Sequence, residues 1–227
     1  MRNFLFYLLI STVSGDQPPN QPPTSNPALI DPSSPIGMSK AYDSSLVMIS
    51  IDTLGNQSHG SGNLVNFNGR EIIITAAHIF ENSIFGFAVE KNDAILAIEI
   101  LSLDKELDIA ILELKEKATA TSSVEYVNSE QLYIGKNIYH CGHPLGITFN
   151  LSEGIITSIY SPNKAMVNSF SMPGSSGSLV FDSEGRIIGV ISSVLVYTDP
   201  DKKHMQLVPS LSTFSIITKE YLESIFK

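Results

Sequence analysis

Cysteine and tryptophan are the scarcest side chains in this sequence: Cys141 is the one cysteine among 227 residues, and there is no tryptophan. A single thiol cannot close an internal disulfide, so the fold has to be stabilised by its hydrophobic core. Hydrophobic residues make up 43% of the chain, which is enough for one large domain or two small ones.

Basic residues are also few, with 14 Lys and Arg against 23 Asp and Glu, which gives a net charge of −9. Nucleic-acid-binding proteins usually carry basic side chains clustered on one face, and this sequence has no such cluster. We therefore expect no nucleic-acid partner, and we interpret the acidic balance as a source of solubility.

Long hydrophobic runs are absent, and no segment is long enough to span a bilayer as a helix. Residues 4–10 form an apolar run that follows a basic start at Arg2 and precedes small residues at 11–15. This pattern is typical of a short secretory signal. It predicts a signal peptide over 1–15 and a secreted or periplasmic protein; an apolar tail on a cytoplasmic protein is the alternative.

Proline is concentrated near the N-terminus, because residues 16–37 hold seven of the twelve prolines. Such a segment is extended and cannot bury a core, so we interpret 16–38 as a disordered linker. The folded domain is then expected over 39–227.

The rest of the chain consists of short apolar runs separated by single glycines, prolines and polar residues, a pattern that predicts an all-β sandwich or barrel. The runs form two groups, at about 44–117 and 124–213, joined by the polar segment 115–123. The end of the chain predicts a short helix over 218–226, with Thr218 as its cap. The clearest runs are 46–51, 72–74, 95–101, 109–114, 155–159 and 187–191.

Two polar residues adjoin buried strands in the first group. His78 follows the continuous apolar run 72–74 and two small alanines, which is a crowded place for an imidazole. Asp108 precedes the run 109–114, and strand alternation places it on the same face as apolar side chains. A buried carboxylate must be hydrogen-bonded, so the simpler interpretation is that Asp108 accepts bonds from loop amides at a strand start.

The segment 171–181, SMPGSSGSLVF, predicts a tight turn that enters a strand. Gly174 adopts backbone conformations closed to other residues, and Ser176 lies between two glycines. The backbone N–H groups of Gly174 and Ser176 can then point at one spot, which is the arrangement of an oxyanion hole.

Seven segments together resemble the trypsin-like, chymotrypsin-fold serine proteases, and within them the HtrA-type (Deg) branch. The resemblance spans about residues 46–193 and implies two packed antiparallel β-barrels. The matching segments are GSGNLV (60–65), ITAAHI (74–79), LDIAILEL (107–114), GHPLG (142–146), SEGIITS (152–158), PGSSGS (173–178) and GRIIGVIS (185–192).

The resemblance implies a serine endopeptidase that acts on proteins or peptides without a cofactor. Ser176 would be the nucleophile, His78 the general base, and Asp108 the group that orients and stabilises the imidazole. The amides of Gly174 and Ser176 would bind the oxyanion. Among the serines of the turn, register against the family pattern Gly-x-Ser-Gly selects Ser176.

The sequence departs from the family at two points. Ser178-Leu179 stands where the family commonly has Gly-Pro, and because serine lacks the conformational freedom of glycine we expect a slightly different turn. The family branch usually carries a PDZ-like domain after the protease, whereas this sequence predicts a protease domain alone.

The resemblance also implies a substrate pocket lined by Phe170, Ser192 and Val194. Phe170 and Val194 carry no charge, and Val194 replaces a position that is often glycine. We therefore expect a small or medium aliphatic residue before the cut bond, and not Arg or Lys.

Other interpretations start from other residues. The segment YHCGH (139–143) suggests a metal site, but strand geometry turns His140 and Cys141 to opposite faces, which leaves too few ligands, so we expect no metal. A chymotrypsin-fold binding protein without activity and a viral or phage precursor-processing protease are the two alternative functions.

Overall fold

The computed structural model describes residues 30–128, 132–198 and 205–227. The predicted signal peptide, and most of the predicted proline-rich linker, lie outside these ranges. Among the described residues, no helix is long and apolar enough to cross a membrane.

Thirteen strands and two α-helices make up the described fold. The first part of the chain contains α1 (Ile36–Asp43), β1 (Ser45–Asp52), β2 (Gln57–Phe67), β3 (Arg70–Thr75), β4 (Ser83–Val89), β5 (Ile95–Asp104), β6 (Ile109–Leu114) and β7 (Val124–Glu125). The second part contains β8 (Asn137–Gly142), β9 (Asn150–Ser161), β10 (Lys164–Ser169), β11 (Leu179–Phe181), β12 (Ile187–Thr198), β13 (Met205–Ile216) and α2 (Lys219–Ile225).

The strands form two antiparallel barrels, as the resemblance implied. In the first, the order β1-β4-β5-β6-β3-β2 is closed by pairing of β1 with β2. In the second, the order β10-β13-β12-β11-β8-β9 is closed by pairing of β9 with β10. The all-β prediction and the predicted strands are therefore confirmed.

A buried cluster fills each barrel, and a third lies between them. Ile73 on β3 faces the interior of the first barrel, whereas its neighbours Ile72 and Ile74 join the cluster between the barrels. All three side chains are fully buried. The prediction that the run 72–74 is buried on both faces is correct.

Two boundaries differ from those predicted. α1 begins at Ile36, so the folded part starts before the expected boundary at residue 39. Pro35 is its N-cap, and Gly37 packs against the carbonyl oxygen of Asp182.

The second boundary is that between the barrels. Val124 was assigned to the second barrel, but β7 pairs in parallel with β2, through Val65, and so extends the first sheet. Short polar segments give little sequence signal for such pairings.

The C-terminal helix forms as predicted, one residue shorter at each end. The Thr218 hydroxyl accepts a hydrogen bond from the Tyr221 amide at 3.2 Å and caps the helix. Ile217 and Leu222 are fully buried in the cluster between the barrels. The helix therefore closes the side of the molecule where the two barrels meet.

Candidate active site

His78 lies just after β3, in a short 3-10 helix, Ala77–Ile79. Ala76 and Ala77 are buried, and their small side chains let the backbone leave the strand in a crowded region. The imidazole itself is 46% exposed. The buried strand thus fixes the backbone of His78 while the ring reaches solvent.

Asp108 holds His78 by both backbone and side chain. Its Oδ1 accepts the backbone N–H of His78 at 2.9 Å, and the imidazole Nδ1 lies 3.0 Å from Oδ1 and 2.9 Å from Oδ2. Burial alone would raise the pKa of the carboxyl, but these bonds outweigh it and lower the pKa. An ionised carboxylate only accepts hydrogen bonds, so Nδ1 carries the proton and Nε2 keeps the lone pair.

The backbone of Asp108 differs from the alternation predicted for it. Asp108 lies in the turn before β6 with φ +58°, so it does not share the strand face of Ala110. The interpretation of a carboxylate that accepts a loop amide at a strand start is the one that fits. Aspartate tolerates the left-handed region better than most residues, which is why the turn can aim the side chain at His78.

The segment after β10 folds as two consecutive β-turns. The Ser175 amide donates to the Met172 carbonyl at 2.8 Å, and the Ser178 amide donates to the Ser175 carbonyl at 3.2 Å. Gly174 and Gly177 occupy the third position of each turn with φ +102° and +91°, values that suit glycine. Ser178 has no positive φ, so the replacement of the family glycine costs no backbone strain at that position.

The serines of this turn differ in their exposure. Ser175 and Ser178 are 1% and 0% exposed, whereas Ser176 is partly exposed. The Ser176 hydroxyl donates to the Ser192 carbonyl at 3.4 Å, and the Ser192 hydroxyl donates to Asp108 Oδ2 at 3.0 Å. Ser192 therefore links the turn to the carboxylate that binds His78.

The backbone N–H groups of Gly174 and Ser176 have directions that follow from the hydrogen bonds of the preceding carbonyls, those of Pro173 and Ser175. Leu145 donates its N–H to the Pro173 carbonyl at 2.8 Å, and Ser178 holds the Ser175 carbonyl. In a planar trans peptide the C=O and N–H point in opposite directions. The N–H groups of Gly174 and Ser176 consequently point away from these anchors, and neither has an acceptor among the described residues.

Sequence reasoning missed the residues that support this turn. Ser61 on β2 donates its amide to the Ser176 carbonyl and its hydroxyl to the Gly174 carbonyl, both at 2.7 Å. Leu145 supplies its amide from a left-handed conformation with φ +52°. The only signals are a serine between two glycines on a buried strand and the Pro-Leu-Gly sequence, and neither specifies a partner.

The predicted pocket residues occupy different environments. Phe170 is 48% exposed in the segment between β10 and the turn. Val194 is half-buried on β12 opposite Ser212. The hydroxyl of Ser192 is engaged with Asp108, so its contribution to a pocket wall is limited to backbone and Cβ. The pocket stays a prediction.

A buried histidine–serine pair lies beneath the turn. His140 on β8 is 1% exposed, and its Nε2 lies 2.6 Å from the Ser169 hydroxyl. Its ring contacts hydroxyls, and a substrate cannot reach it. Among the described residues no group of three or more His, Cys, Asp or Glu is placed to hold a metal ion.

Comparison with known proteins gives one consistent family. Residues 60–190 match the family model of a trypsin-like peptidase domain. A "Serine protease HtrA-like" of Staphylococcus aureus strain MRSA252 is 27% identical over 190 residues, and its counterpart from strain USA300 is 26% identical. In both cases the similarity covers 74% of this chain and 24% of the relative, so this chain spans about a quarter of their length.

Solved structures agree on the fold. The structure of the HtrA-type protease AlgW with a tripeptide superposes with a TM-score of 0.66 at 18% sequence identity. The superposition covers 82% of this chain and 60% of the AlgW chain. A structure of an AlgW variant with a tripeptide gives a TM-score of 0.65 at 17% identity, with the same coverage.

Proposed function

This chain belongs to the trypsin-like peptidase family, and we propose that it is a serine endopeptidase that cuts peptide bonds through an acyl-enzyme. The observation that carries the proposal is the Asp108 carboxylate, which binds both the backbone amide and the Nδ1 of His78. Through Ser192 the same carboxylate is connected to the turn that holds Ser176.

We assign the nucleophile to Ser176, the general base to His78 and the orienting carboxylate to Asp108. A serine hydroxyl is a weak nucleophile until a base removes its proton. The Nδ1–H of His78 is fixed by Asp108, which leaves Nε2 to accept that proton. The Ser176 hydroxyl donates to the Ser192 carbonyl in this structure, so rotation about its Cα–Cβ bond precedes the transfer.

The reaction then follows from these roles. The Ser176 Oγ bonds to the substrate carbonyl carbon while its proton moves to His78 Nε2, and a tetrahedral oxyanion forms. The amides of Gly174 and Ser176 stabilise that oxyanion, and loss of one such donor typically costs about 3 kcal/mol. His78 gives its proton to the leaving amine as the C–N bond breaks. Water then hydrolyses the ester by the same route in reverse.

We propose protein or peptide substrates with a small or aliphatic residue before the cut bond. Phe170 and Val194, at the lining positions, are uncharged, so they offer no counterion to Arg or Lys. A peptide library with each residue type at this position is the test. Dominant cleavage after Arg or Lys would contradict the pocket assignment.

We also propose that the protein is exported, on the strength of the apolar segment 4–10 that follows Arg2. N-terminal sequencing of protein recovered from the producing cells and from their surroundings tests this. Intact Met1 found only inside the cells would contradict export.

The deciding experiment for the function is labelling with a fluorophosphonate, which reacts with activated serines. We expect wild type to be labelled and Ser176→Ala to be unlabelled. Ser175→Ala is the matched control. It removes the same hydroxyl group from the neighbouring residue, and the side chain of Ser175 is only 1% exposed. A folded wild type without label would favour the inactive binding protein, and equal labelling of wild type and Ser176→Ala would mean another serine reacts.

A further inference from the structure

The two β-turns over residues 172–178 are called the nucleophile turn here, because they hold Ser176. A chain of hydrogen bonds beneath this turn ends on its backbone. The Ser169 hydroxyl lies 2.6 Å from Nε2 of His140, and Nδ1 of His140 lies 3.4 Å from the Ser178 hydroxyl. The Ser178 hydroxyl donates to the carbonyl of Ser175 at 2.6 Å. His140, Ser169 and Ser178 are all at most 3% exposed, so water does not compete for these bonds.

One arrangement of the protons satisfies all three bonds of this chain. Ser178 has one hydroxyl proton, and it is used on the Ser175 carbonyl. Nδ1 of His140 must therefore donate to Ser178, which leaves Nε2 to accept from Ser169. Burial lowers the pKa of His140 to about 4, which keeps the ring neutral at neutral pH.

The end point of the chain is the peptide that supplies an oxyanion donor. The carbonyl of Ser175 and the N–H of Ser176 belong to one planar unit, so holding the carbonyl from below aims the N–H at the opposite side. The amide of Ser178 also contacts that carbonyl, at the longer distance of 3.2 Å. A hydrogen bond accepted by a peptide carbonyl also polarises the N–H of the same peptide unit, because linked hydrogen bonds strengthen one another.

We propose that Ser178, backed by His140 and Ser169, is a positioning residue that aims and polarises the Ser176 N–H of the oxyanion hole. The inference rests on the proposed function and adds a role for a serine at a position where related proteases commonly have glycine.

The kinetic test compares Ser178→Ala with Ser152→Ala. Ser152 is 8% exposed and pairs with His140 across β8 and β9, but its hydroxyl contacts Asn150 and has no link to the turn. For Ser178→Ala we expect kcat to fall on the order of tenfold with KM unchanged, well short of the 10²–10³ lost with a whole donor. A peptide aldehyde, which forms an oxyanion with Ser176, should lose affinity by the same factor.

Ser152→Ala should leave kcat, KM and aldehyde affinity unchanged. Equal kinetics for the two variants would overturn the proposal, as would a change in KM alone, since that would indicate a role in substrate binding.

A second measurement does not depend on activity. Nitrogen NMR of the imidazole rings should show His140 as the neutral tautomer protonated at Nδ1, with a shift in Ser178→Ala and none in Ser152→Ala. An Nε2-protonated His140, or one that ignores the loss of the Ser178 hydroxyl, would overturn the hydrogen-bond chain. If wild type shows the expected tautomer but hydrolyses nothing and takes no fluorophosphonate, the proposed function fails while the hydrogen-bond chain remains.

Discussion

His78 and His140 are two histidines of the same molecule that occupy opposite environments. His78 is 46% exposed and has a carboxylate, Asp108, on its Nδ1. His140 is 1% exposed and has hydroxyl partners on both nitrogens. An imidazole with an ionised partner can accept a proton because the resulting cation is stabilised, whereas a buried imidazole among hydroxyls stays neutral and acts as a fixed connector.

The comparison explains why two similar side chains have different assignments in one small region. The first cluster pairs the exposed imidazole of His78 with the Asp108 carboxylate. In the second, buried hydroxyls flank His140, and one of them, that of Ser178, binds the Ser175 carbonyl. The following changes act on these clusters, on the turn that holds Ser176, or on His143, the other buried histidine.

The largest effect is expected from Asp108→Asn, which removes the charge that distinguishes the two histidines. The amide donates as well as accepts, so it favours the wrong tautomer of His78, and such a change in a serine protease triad lowers kcat about 10⁴-fold. Asp104→Asn is the control: Asp104 Oδ1 accepts the amides of Glu106 and Leu107 in the same turn, which an amide oxygen can replace. Similar kcat losses in the two variants would contradict the assigned role.

The turn that holds Ser176 should be destabilised by any side chain at Gly177. A Cβ there would overlap the Ser61 carbonyl oxygen, and φ is +91°. We expect Gly177→Ala to lower the free energy of unfolding by about 3 kcal/mol or more in urea denaturation. Gly69→Ala is the matched control, because Gly69 has φ +85° with open space around it; an equal loss in both variants would show that only the dihedral matters.

Acid should destabilise the fold through its two buried histidines, His140 and His143. Burial lowers the pKa of His140 and of His143 to about 4, from about 6.5 in an unfolded chain. Between these values the unfolded chain binds more protons than the folded protein, so stability falls as pH drops from about 6.5 to about 4. Each histidine contributes up to about 3 kcal/mol of this loss.

Urea denaturation at several pH values across this window measures that loss. His143→Gln should remove about half of it, since glutamine does not titrate and can still accept the Phe149 amide that binds Nδ1. An unchanged slope in His143→Gln would exclude His143 as a source.

The smallest effect is expected from Ser192→Ala, which removes one of the donors to Asp108 Oδ2. The pKa of Asp108 should rise, because one hydrogen bond to its ionised form is lost. Since His78 keeps its bonds to Asp108, we expect kcat to fall only about tenfold. A loss as large as that of Asp108→Asn would mean that Ser192 acts directly on the substrate.

Much of the fold could be predicted from local pattern. The run 72–74 is apolar on both faces and is buried on both faces, and the spacing of short apolar runs indicated the strands of both barrels. Thr218 was recognised as a helix cap because its role depends on its nearest neighbours. The backbone of Asp108 was predicted wrongly, because alternation was extended one residue beyond the strand into a left-handed turn.

Residues whose roles depend on distant partners gave no such signal. Ser192 is predicted in a pocket wall, but no sequence signal indicated that its hydroxyl binds a carboxylate 84 positions earlier in the chain. Leu145 matters through a backbone amide, which every residue except proline possesses, so its side chain carries no information about that role.

By itself the sequence determined the strands and the order in which an imidazole, a carboxylate and a hydroxyl occur, because these follow from periodicity and from motifs of adjacent residues, whereas the two barrels were implied by the resemblance to a known family. Only the tertiary structure decided which carbonyl each peptide of the nucleophile turn faces and which histidine receives a charged partner. Hydrogen bonds form between groups brought together by packing, and their direction is set by geometry that no local pattern encodes.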